Sequence, residues 1–122
     1  MRFEVGVVST FHATHALRGD FGAATRSHAH DYRVEAAVRG RDLRDDGTLV
    51  DIAQLEGALR EALAEIEGRP LDASEAFRER NSTAENVAAH LAHRLRRSVC
   101  GQLVVRVWES AGAYASCELD DE

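Results

Sequence analysis

Residues 28–38 read His-Ala-His-Asp-Tyr-Arg-Val-Glu-Ala-Ala-Val, and this stretch decides the fold. Every second side chain from His28 onward lies on one face, which becomes apolar toward Val38, whereas Arg33 and Glu35 lie on the other face. A period of two with one apolar face is typical of a half-buried strand. The stretch therefore predicts a strand whose first two inward positions are histidines.

The segment before this strand alternates in the same way. Residues 3–15 place apolar side chains and a final histidine on one face, and residues 19–25, rich in glycine and small side chains, predict a loop. We therefore expect an antiparallel partner strand. Its predicted inward face consists of Phe3, Val5, Val7, Phe11, Ala13 and His15, and its outward face includes Glu4, Thr10, His12 and Thr14.

Beyond a turn at residues 45–47, the hydrophobic period changes to that of a helix. Two stretches carry an apolar stripe: Ile52, Leu55, Leu59, Leu63 and Ile66 in the first, and Val87, Leu91 and Leu95 in the second. Each stripe is preceded by residues at capping-box spacing, Asp51 with Gln54 and Ser82 with Glu85. The sequence therefore predicts two helices, with Asp51 and Ser82 as their N-caps.

Alternation returns in the last part of the chain, on both sides of a turn at residues 111–112. The predicted inward positions are Leu103, Val105, Val107 and Glu109, then Ala113, Ala115, Cys117 and Leu119. The order ββααββ predicts an α+β fold: one domain over residues 1–122, with two helices on one face of a four-stranded antiparallel sheet. Because such a sheet leaves strand edges open in a small domain, we expect a homo-oligomer built by sheet extension.

The composition argues against several classes of protein. The 122 residues are 44% hydrophobic and 30% charged, which is typical of a globular domain. A net charge of −6 argues against nucleic acid as a partner. No apolar run approaches the ~20 residues of a membrane helix, and the N-terminus lacks the apolar core of a signal peptide, so we expect a cytoplasmic protein. Cys100 and Cys117 are too few for a disulfide scaffold or a CxxC zinc module.

Three histidines lie on the predicted inward faces. His28 and His30 project from the same side of one strand, and His15 lies on the corresponding face of its neighbour. Facing side chains on paired strands are ~4.5–5.5 Å apart at Cβ, so three imidazole nitrogens can reach one metal ion. Three histidines with an open position are typical of catalytic zinc, which polarises oxygen or acidifies water. The simpler interpretation is three ordinary polar residues near a sheet edge.

The other three histidines fit a metal site less well. His12 falls on the opposite face of the first strand, which favours a solvated position. His90 and His93 are one helical turn apart on the polar side of the second helix, beside Arg94 and Arg97. They could bind a metal ion, but a solvated helix face is the simpler interpretation.

Two further residues are candidates for ligand binding. Glu109 ends an otherwise apolar face, where a carboxylate is costly to bury unless it meets hydrogen-bond donors. A planar ring with two parallel N–H donors, such as 2-amino-4-oxopyrimidine, would supply them; a partly exposed glutamate at a strand end is the alternative. Thr83 offers a hydroxyl beside the free backbone N–H groups of a helix start. Glu85 is explained by capping alone.

Together these motifs resemble the 6-pyruvoyl-tetrahydropterin synthase / 6-carboxytetrahydropterin synthase family, over nearly the whole chain and in the same order. The matching segments are Phe11-His12-Ala13-Thr14-His15, His28-Ala29-His30-Asp31-Tyr32, Gly47-Thr48-Leu49-Val50-Asp51-Ile52-Ala53-Gln54-Leu55, Ser82-Thr83-Ala84-Glu85-Asn86 (with Ser in place of the family's Pro) and Glu109-Ser110.

The resemblance implies a tunnelling fold that assembles into a trimeric barrel, commonly doubled to a hexamer. It also implies Zn²⁺ held by His15, His28 and His30, and a pterin ring anchored by Glu109 with help from Thr83. Family enzymes act on 7,8-dihydroneopterin triphosphate, and zinc bound to the side-chain hydroxyls favours proton removal at carbon. Triphosphate elimination or side-chain cleavage follows, so the resemblance implies a zinc-dependent lyase.

The chain departs from the family in the residues that transfer protons. The family's cysteine, a general base, corresponds to Ala24, and the Asp-His pair after the first helix corresponds to Glu67-Gly68. Some branches use a glutamate in the cysteine's loop, but none lies between His15 and His28.

The substitute base is then Glu67 or a hydroxide on zinc, or only a reduced reaction such as side-chain cleavage survives. The alternative is a catalytically silent oligomer that binds zinc and a pterin or purine. A structural oligomer with incidental histidines is a third interpretation.

Overall fold

The computed structural model describes residues 1–121, which form four strands and two helices in the predicted order. The strands are β1 (Phe3–His15), β2 (His28–Gly40), β3 (Gln102–Ser110) and β4 (Ala113–Leu119), and the helices are α1 (Ile52–Ala64) and α2 (Ala84–Arg96). Short 3₁₀ turns cover Gly22–Thr25, Leu71–Ala73 and Glu75–Phe77. Neither helix is long and apolar enough to cross a membrane.

The sheet is antiparallel throughout, in the order β1-β2-β3-β4. Alternate side chains of the strands point toward the helices, so Phe11, Tyr32, Val34 and Val105 are buried with the apolar stripes of α1 and α2. Helix α2 packs on β3 and β4, and α1 packs on β1. The predicted α+β fold with two helices on a four-stranded sheet is confirmed.

The N-termini of the two helices agree only in part with those predicted from the sequence. Asp51 is the N-cap of α1 and accepts hydrogen bonds from Ala53 N and Gln54 N, as predicted. The Gln54 side chain does not return to the cap: it donates to the carbonyl of Ser98 instead. In the predicted stripe, Ile52, the first residue of α1, is 51% exposed and is not part of the core.

The prediction for the second helix is wrong by one residue. Thr83, not Ser82, is the N-cap of α2, and its hydroxyl accepts the backbone N–H of Asn86. Glu85 is exposed and takes no part in that cap, so capping does not explain it. The reason is that Ser82 is fully buried and uses its hydroxyl elsewhere, in a contact with Asp72.

The outer edge of β1 is covered only near its C-terminal end. Glu67 accepts the backbone N–H of His12, Gly68 donates its N–H to the carbonyl of His12, and Thr14 forms a parallel bridge with Pro70. Within residues 1–121, no strand pairs with the rest of that edge, from Phe3 to Thr10.

Candidate metal centre and ligand pocket

His15, His28 and His30 come together at one end of the sheet. His15 is the last residue of β1 and pairs directly with His28, the first residue of β2, while His30 pairs with Ala13. One ligand nitrogen from each histidine lies within 4.8 Å of the other two. The three ring centroids are 4.4 to 5.1 Å apart. Strand pairing therefore brings the three imidazoles together, as the period-two pattern predicts.

Backbone carbonyls orient two of these rings. His15 Nδ1 lies 2.7 Å from the carbonyl oxygen of Ser82, and His28 Nδ1 lies 2.7 Å from that of Arg26. A carbonyl oxygen only accepts, so each Nδ1 carries the proton and each Nε2 keeps a lone pair. A metal-ligating histidine usually donates its other ring N–H to a carbonyl or carboxylate in this way.

The chemistry of these donors fits a divalent metal ion such as zinc. His15 is 2% exposed, and its Nε2 is buried without a hydrogen-bond partner among the described residues. A buried polar atom of this kind is costly unless something binds it. Two nitrogens on a tetrahedral zinc ion lie about 3.4 Å apart, so the rings must approach by up to about 1.4 Å to bind it together.

Electrostatics around His30 favour the neutral ring that binds metals. Burial lowers the pKa of His30, and the charges that His15 and His28 would carry lower it further. The carboxylate of Glu109 acts in the opposite direction. A neutral imidazole at ordinary pH retains the lone pair that a metal ion requires.

Glu109 lies at an irregularity in the sheet. The register between β3 and β4 shifts between Trp108 and Ser110, so Glu109 is the extra residue of a β-bulge. Bulges redirect a side chain and are common beside active sites. Here the negative charge of Glu109 reaches both His30 and Tyr32.

Glu109 also lines a cavity of about 500 Å³, together with Thr83 and Glu85. Phe21, from the loop between β1 and β2, and Tyr114 of β4 supply exposed aromatic surface in the same cavity. The Thr83 hydroxyl accepts from Asn86 N at 3.2 Å, which leaves its own proton free to donate. The structure thus brings both predicted ligand-binding residues into one pocket beside the histidines.

Comparison with known proteins agrees with this geometry. The family model of 6-pyruvoyl tetrahydropterin synthase matches residues 4–120. The chain belongs to this family. None of the curated proteins matches it.

Solved structures of 6-pyruvoyl tetrahydropterin synthases share its fold. The Caenorhabditis elegans protein is 22% identical with a TM-score of 0.85, and the alignment covers 98% of this chain and 97% of that one. The Plasmodium vivax protein is 20% identical with a TM-score of 0.78, covering 98% and 99%. The Plasmodium falciparum protein is 20% identical with the same TM-score, covering 98% of both chains.

The three positions that the family resemblance assigns to proton transfer lie in two separate segments. Ala24 lies in the 3₁₀ turn after β1, with its carbonyl bonded to Leu17 N. Glu67 and Gly68 lie beyond α1, on the outer edge of β1. The exposed Glu67 carboxylate accepts the His12 backbone N–H at 2.9 Å.

The remaining histidines lie apart from this cluster. His12 is on the opposite face of β1, exposed, with its Nδ1 2.8 Å from Asp31. His93 is exposed, as expected, but His90 is half-buried with its ring 5.6 Å from that of Phe77. His90 therefore packs against Phe77 and does not lie on a solvated face, and its burial lowers its pKa.

Sequence reasoning missed three polar residues beside the cluster. Asp72 and Ser82 bond each other and surround His15. The Tyr32 hydroxyl is buried and has no hydrogen-bond partner in the described part of the chain. The ring centroids of His30 and Tyr32 are 5.2 Å apart. Burial, with the charges of Glu109 and Asp72, raises the pKa of Tyr32 far above its usual value, so the phenol stays protonated. A tyrosine two residues after His30 on the inward face was the available signal.

Proposed function

We propose that the protein is a zinc-dependent lyase of the 6-pyruvoyl/6-carboxytetrahydropterin synthase type. Its substrate is 7,8-dihydroneopterin triphosphate or a related pterin, and its proton shuttle is altered. The observation that carries this proposal is the convergence of three histidine nitrogens within 4.8 Å of one another, beside a carboxylate in a β-bulge. Membership of the synthase family supports the reaction class.

In this proposal His15, His28 and His30 hold the zinc ion through nitrogens that the local geometry leaves free. Zinc bound there supplies Lewis-acid polarisation of a substrate oxygen. The protonated phenol of Tyr32 adds a neutral hydrogen-bond donor at the same end of the sheet. His15 is buried and His28 and His30 are partly buried, so an ion held by them would be partly shielded from bulk water.

Glu109 and Thr83 bind the pterin ring. A carboxylate accepts two parallel N–H bonds from the 2-amino-4-oxopyrimidine edge, and such charge-assisted pairs are short and strong. Thr83 donates to a ring acceptor from the start of α2. Phe21 and Tyr114, on the same cavity, offer apolar contact to a planar ring.

Glu67 is the proposed general base. Ala24 and Gly68 carry no group that transfers protons, and Glu67 is the one carboxylate in the segment where the family has its Asp-His pair. Variants of the Plasmodium vivax synthase replace a catalytic glutamate, so a carboxylate serves catalysis in a protein of this fold. The self-association that we propose, to a trimer or hexamer in the cytoplasm, would pair the open edge of β1 with a second copy.

A silent zinc- and pterin- or purine-binding oligomer is the second candidate. It is favoured by the same two positions, Ala24 and Gly68, and by the contact that engages Glu67 with the His12 backbone. Removing a general base costs about 10²–10⁴-fold in rate, so slow turnover must be sought deliberately.

The deciding experiment incubates the zinc-loaded protein with 7,8-dihydroneopterin triphosphate and identifies products by mass spectrometry. Release of triphosphate or a shortened side chain supports the lyase. Tight pterin binding with unchanged substrate after prolonged incubation supports the silent binder. Absence of both zinc and pterin binding contradicts both.

A further inference from the structure

One carboxylate connects the two segments that surround His15. Asp72 Oδ2 accepts the backbone N–H of Ala16 at 2.8 Å, and Asp72 Oδ1 accepts the hydroxyl of Ser82 at 2.7 Å. Ala16 directly follows His15 in sequence, and the carbonyl of Ser82 accepts the Nδ1 proton of His15. Asp72 therefore bonds to both residues that determine where the His15 ring lies.

The hydroxyl of Ser82 has two possible partners. It lies 2.7 Å from Asp72 Oδ1 and 3.4 Å from His15 Nδ1, in a side chain that is fully buried. While the Ser82 hydroxyl donates its hydrogen bond to Asp72, it cannot also donate one to the imidazole of His15. His15 Nδ1 then keeps its own proton for the Ser82 carbonyl, and the lone pair stays on Nε2.

Without Asp72, the Ser82 hydroxyl would donate to His15 Nδ1 instead. A buried hydroxyl that has lost its acceptor seeks another, since an unsatisfied donor is costly. His15 Nδ1 is the nearby alternative, and donation to it requires the imidazole proton to move to Nε2. That tautomer occupies the very nitrogen that faces His28 and His30.

We propose that Asp72 and Ser82 are positioning residues that hold His15 in the tautomer able to bind metal. Asp72 does so by accepting the hydrogen bond of the Ser82 hydroxyl and by fixing the backbone after His15. His28 needs no such supporting residues, because its Nδ1 bonds to the carbonyl of Arg26, only two residues away. The inference rests on the proposed zinc site.

The test measures the dissociation constant of Zn²⁺ by competition with a chelator. Asp72→Ala should weaken zinc binding by about 10–100-fold, the usual effect of losing such a supporting partner. Asp72→Asn, which keeps one acceptor oxygen and the shape of the side chain, should fall between Asp72→Ala and wild type. Asp42→Ala, in the exposed turn after β2, is the matched control and should bind zinc as wild type does.

The double variant separates positioning from simple loss of structure. Ser82→Ala removes the hydroxyl that competes for Nδ1 but keeps the carbonyl that orients His15. Asp72→Ala with Ser82→Ala should therefore bind zinc more tightly than Asp72→Ala alone. If the two residues only maintained the fold, the double variant would bind equally or more weakly, and the proposal would be wrong.

A second measurement needs no metal. Nitrogen-15 NMR of the zinc-free protein should show His15 protonated on Nδ1 in wild type and shifted toward Nε2 in Asp72→Ala. Unchanged tautomers, or a zinc affinity for Asp72→Ala within twofold of wild type, would overturn the inference alone. Failure of the wild-type protein to bind zinc would instead overturn the proposed function, and the NMR measurement would still decide whether Asp72 sets the tautomer.

Discussion

The proposed metal-binding end and the proposed proton-transfer end of this protein differ in how they are built. The three histidines lie on paired strands, and two of their rings are held by carbonyl oxygens at 2.7 Å. At the proton-transfer end, Ala24 and Gly68 have no reactive side chain, and the Glu67 carboxylate is exposed and bonded to a backbone N–H. The proposed metal site thus has all three of its ligands in place, whereas proposed proton transfer depends on the single residue Glu67.

This difference shows that ligand binding and turnover can separate within one fold. The groups proposed to bind zinc and pterin are positioned by strand register, a β-bulge and a helix cap. The positions proposed for proton transfer lie in a loop and at a strand edge, where substitution leaves the fold intact. The protein is therefore suited to test how much catalysis zinc and binding supply without the usual shuttle.

The largest effect is expected from removing one of the proposed metal ligands. His28→Ala removes one of three ligands, so zinc should fall from about one ion per chain to none, and any turnover should disappear with it. Metal analysis after gel filtration measures this. His12→Ala, on the opposite face of β1, is the control and should keep its zinc. Retention of stoichiometric zinc by His28→Ala would show that the ion binds elsewhere.

The next effect concerns the proton-transfer end. Glu67→Gln keeps the shape of the side chain and its contact with the His12 N–H but removes the basic oxygen. If Glu67 is the base, kcat should fall by about 10²–10⁴-fold while zinc content and pterin affinity remain. Glu65→Gln, on the same turn beyond α1, is the matched control. Unchanged kcat in Glu67→Gln would assign proton removal to another group.

A smaller effect is expected at the ring anchor. Glu109→Ala should weaken pterin binding by about 100-fold, or about 2.7 kcal/mol, as expected for a charged hydrogen-bonding pair. Isothermal titration with a pterin measures it, and zinc content should stay unchanged. Glu85 lines the same cavity, so Glu85→Ala is the control for the loss of one negative charge from the cavity. Tight pterin binding by Glu109→Ala would refute the assignment of this residue.

Much of this site could be predicted because the period-two pattern of a strand determines which side chains lie on its inward face. Phe11, Ala13 and His15 alternate with polar residues, so the sequence determines that His15 faces inward, and strand pairing then places it opposite His28. The same rule separates His12 from the cluster. Where a side chain's position follows from period and register, the amino-acid sequence suffices.

Contacts between distant segments could not be predicted in this way. Asp72 and His15 are brought together through Ser82, whose spacing to Glu85 equally fits a capping box. Only the tertiary structure shows that Ser82 is buried and that Thr83 caps the helix instead. The bulge at Glu109 is similar, because an extra residue in a strand leaves no mark on a short alternating pattern.

The smallest expected effect is a gain at the proton-transfer end. Ala24→Cys places a thiol where the resemblance to the family implies a cysteine. The carbonyl of Ala24 accepts the backbone N–H of Leu17, a residue that lines the pocket with Glu109. We expect kcat to rise only about tenfold, because a thiol with an ordinary pKa near 8.5 is a few per cent thiolate at pH 7 and Gly68 offers no imidazole to activate it. The gain should grow between pH 7 and 8.5, as the thiolate fraction rises with pH.

Ala23→Cys, in the same turn, is the matched control and should leave kcat unchanged. Adding Gly68→His to Ala24→Cys should raise kcat only slightly further. The backbone at Gly68 has φ of 70°, a left-handed conformation that strains a side chain there, so the new imidazole would be poorly placed to activate the thiol. An equal gain from Ala23→Cys would mean that the thiol acts nonspecifically. No gain from Ala24→Cys, alongside a large loss in Glu67→Gln, would mean that the chain has moved its base to the strand edge and that the loop no longer approaches the substrate.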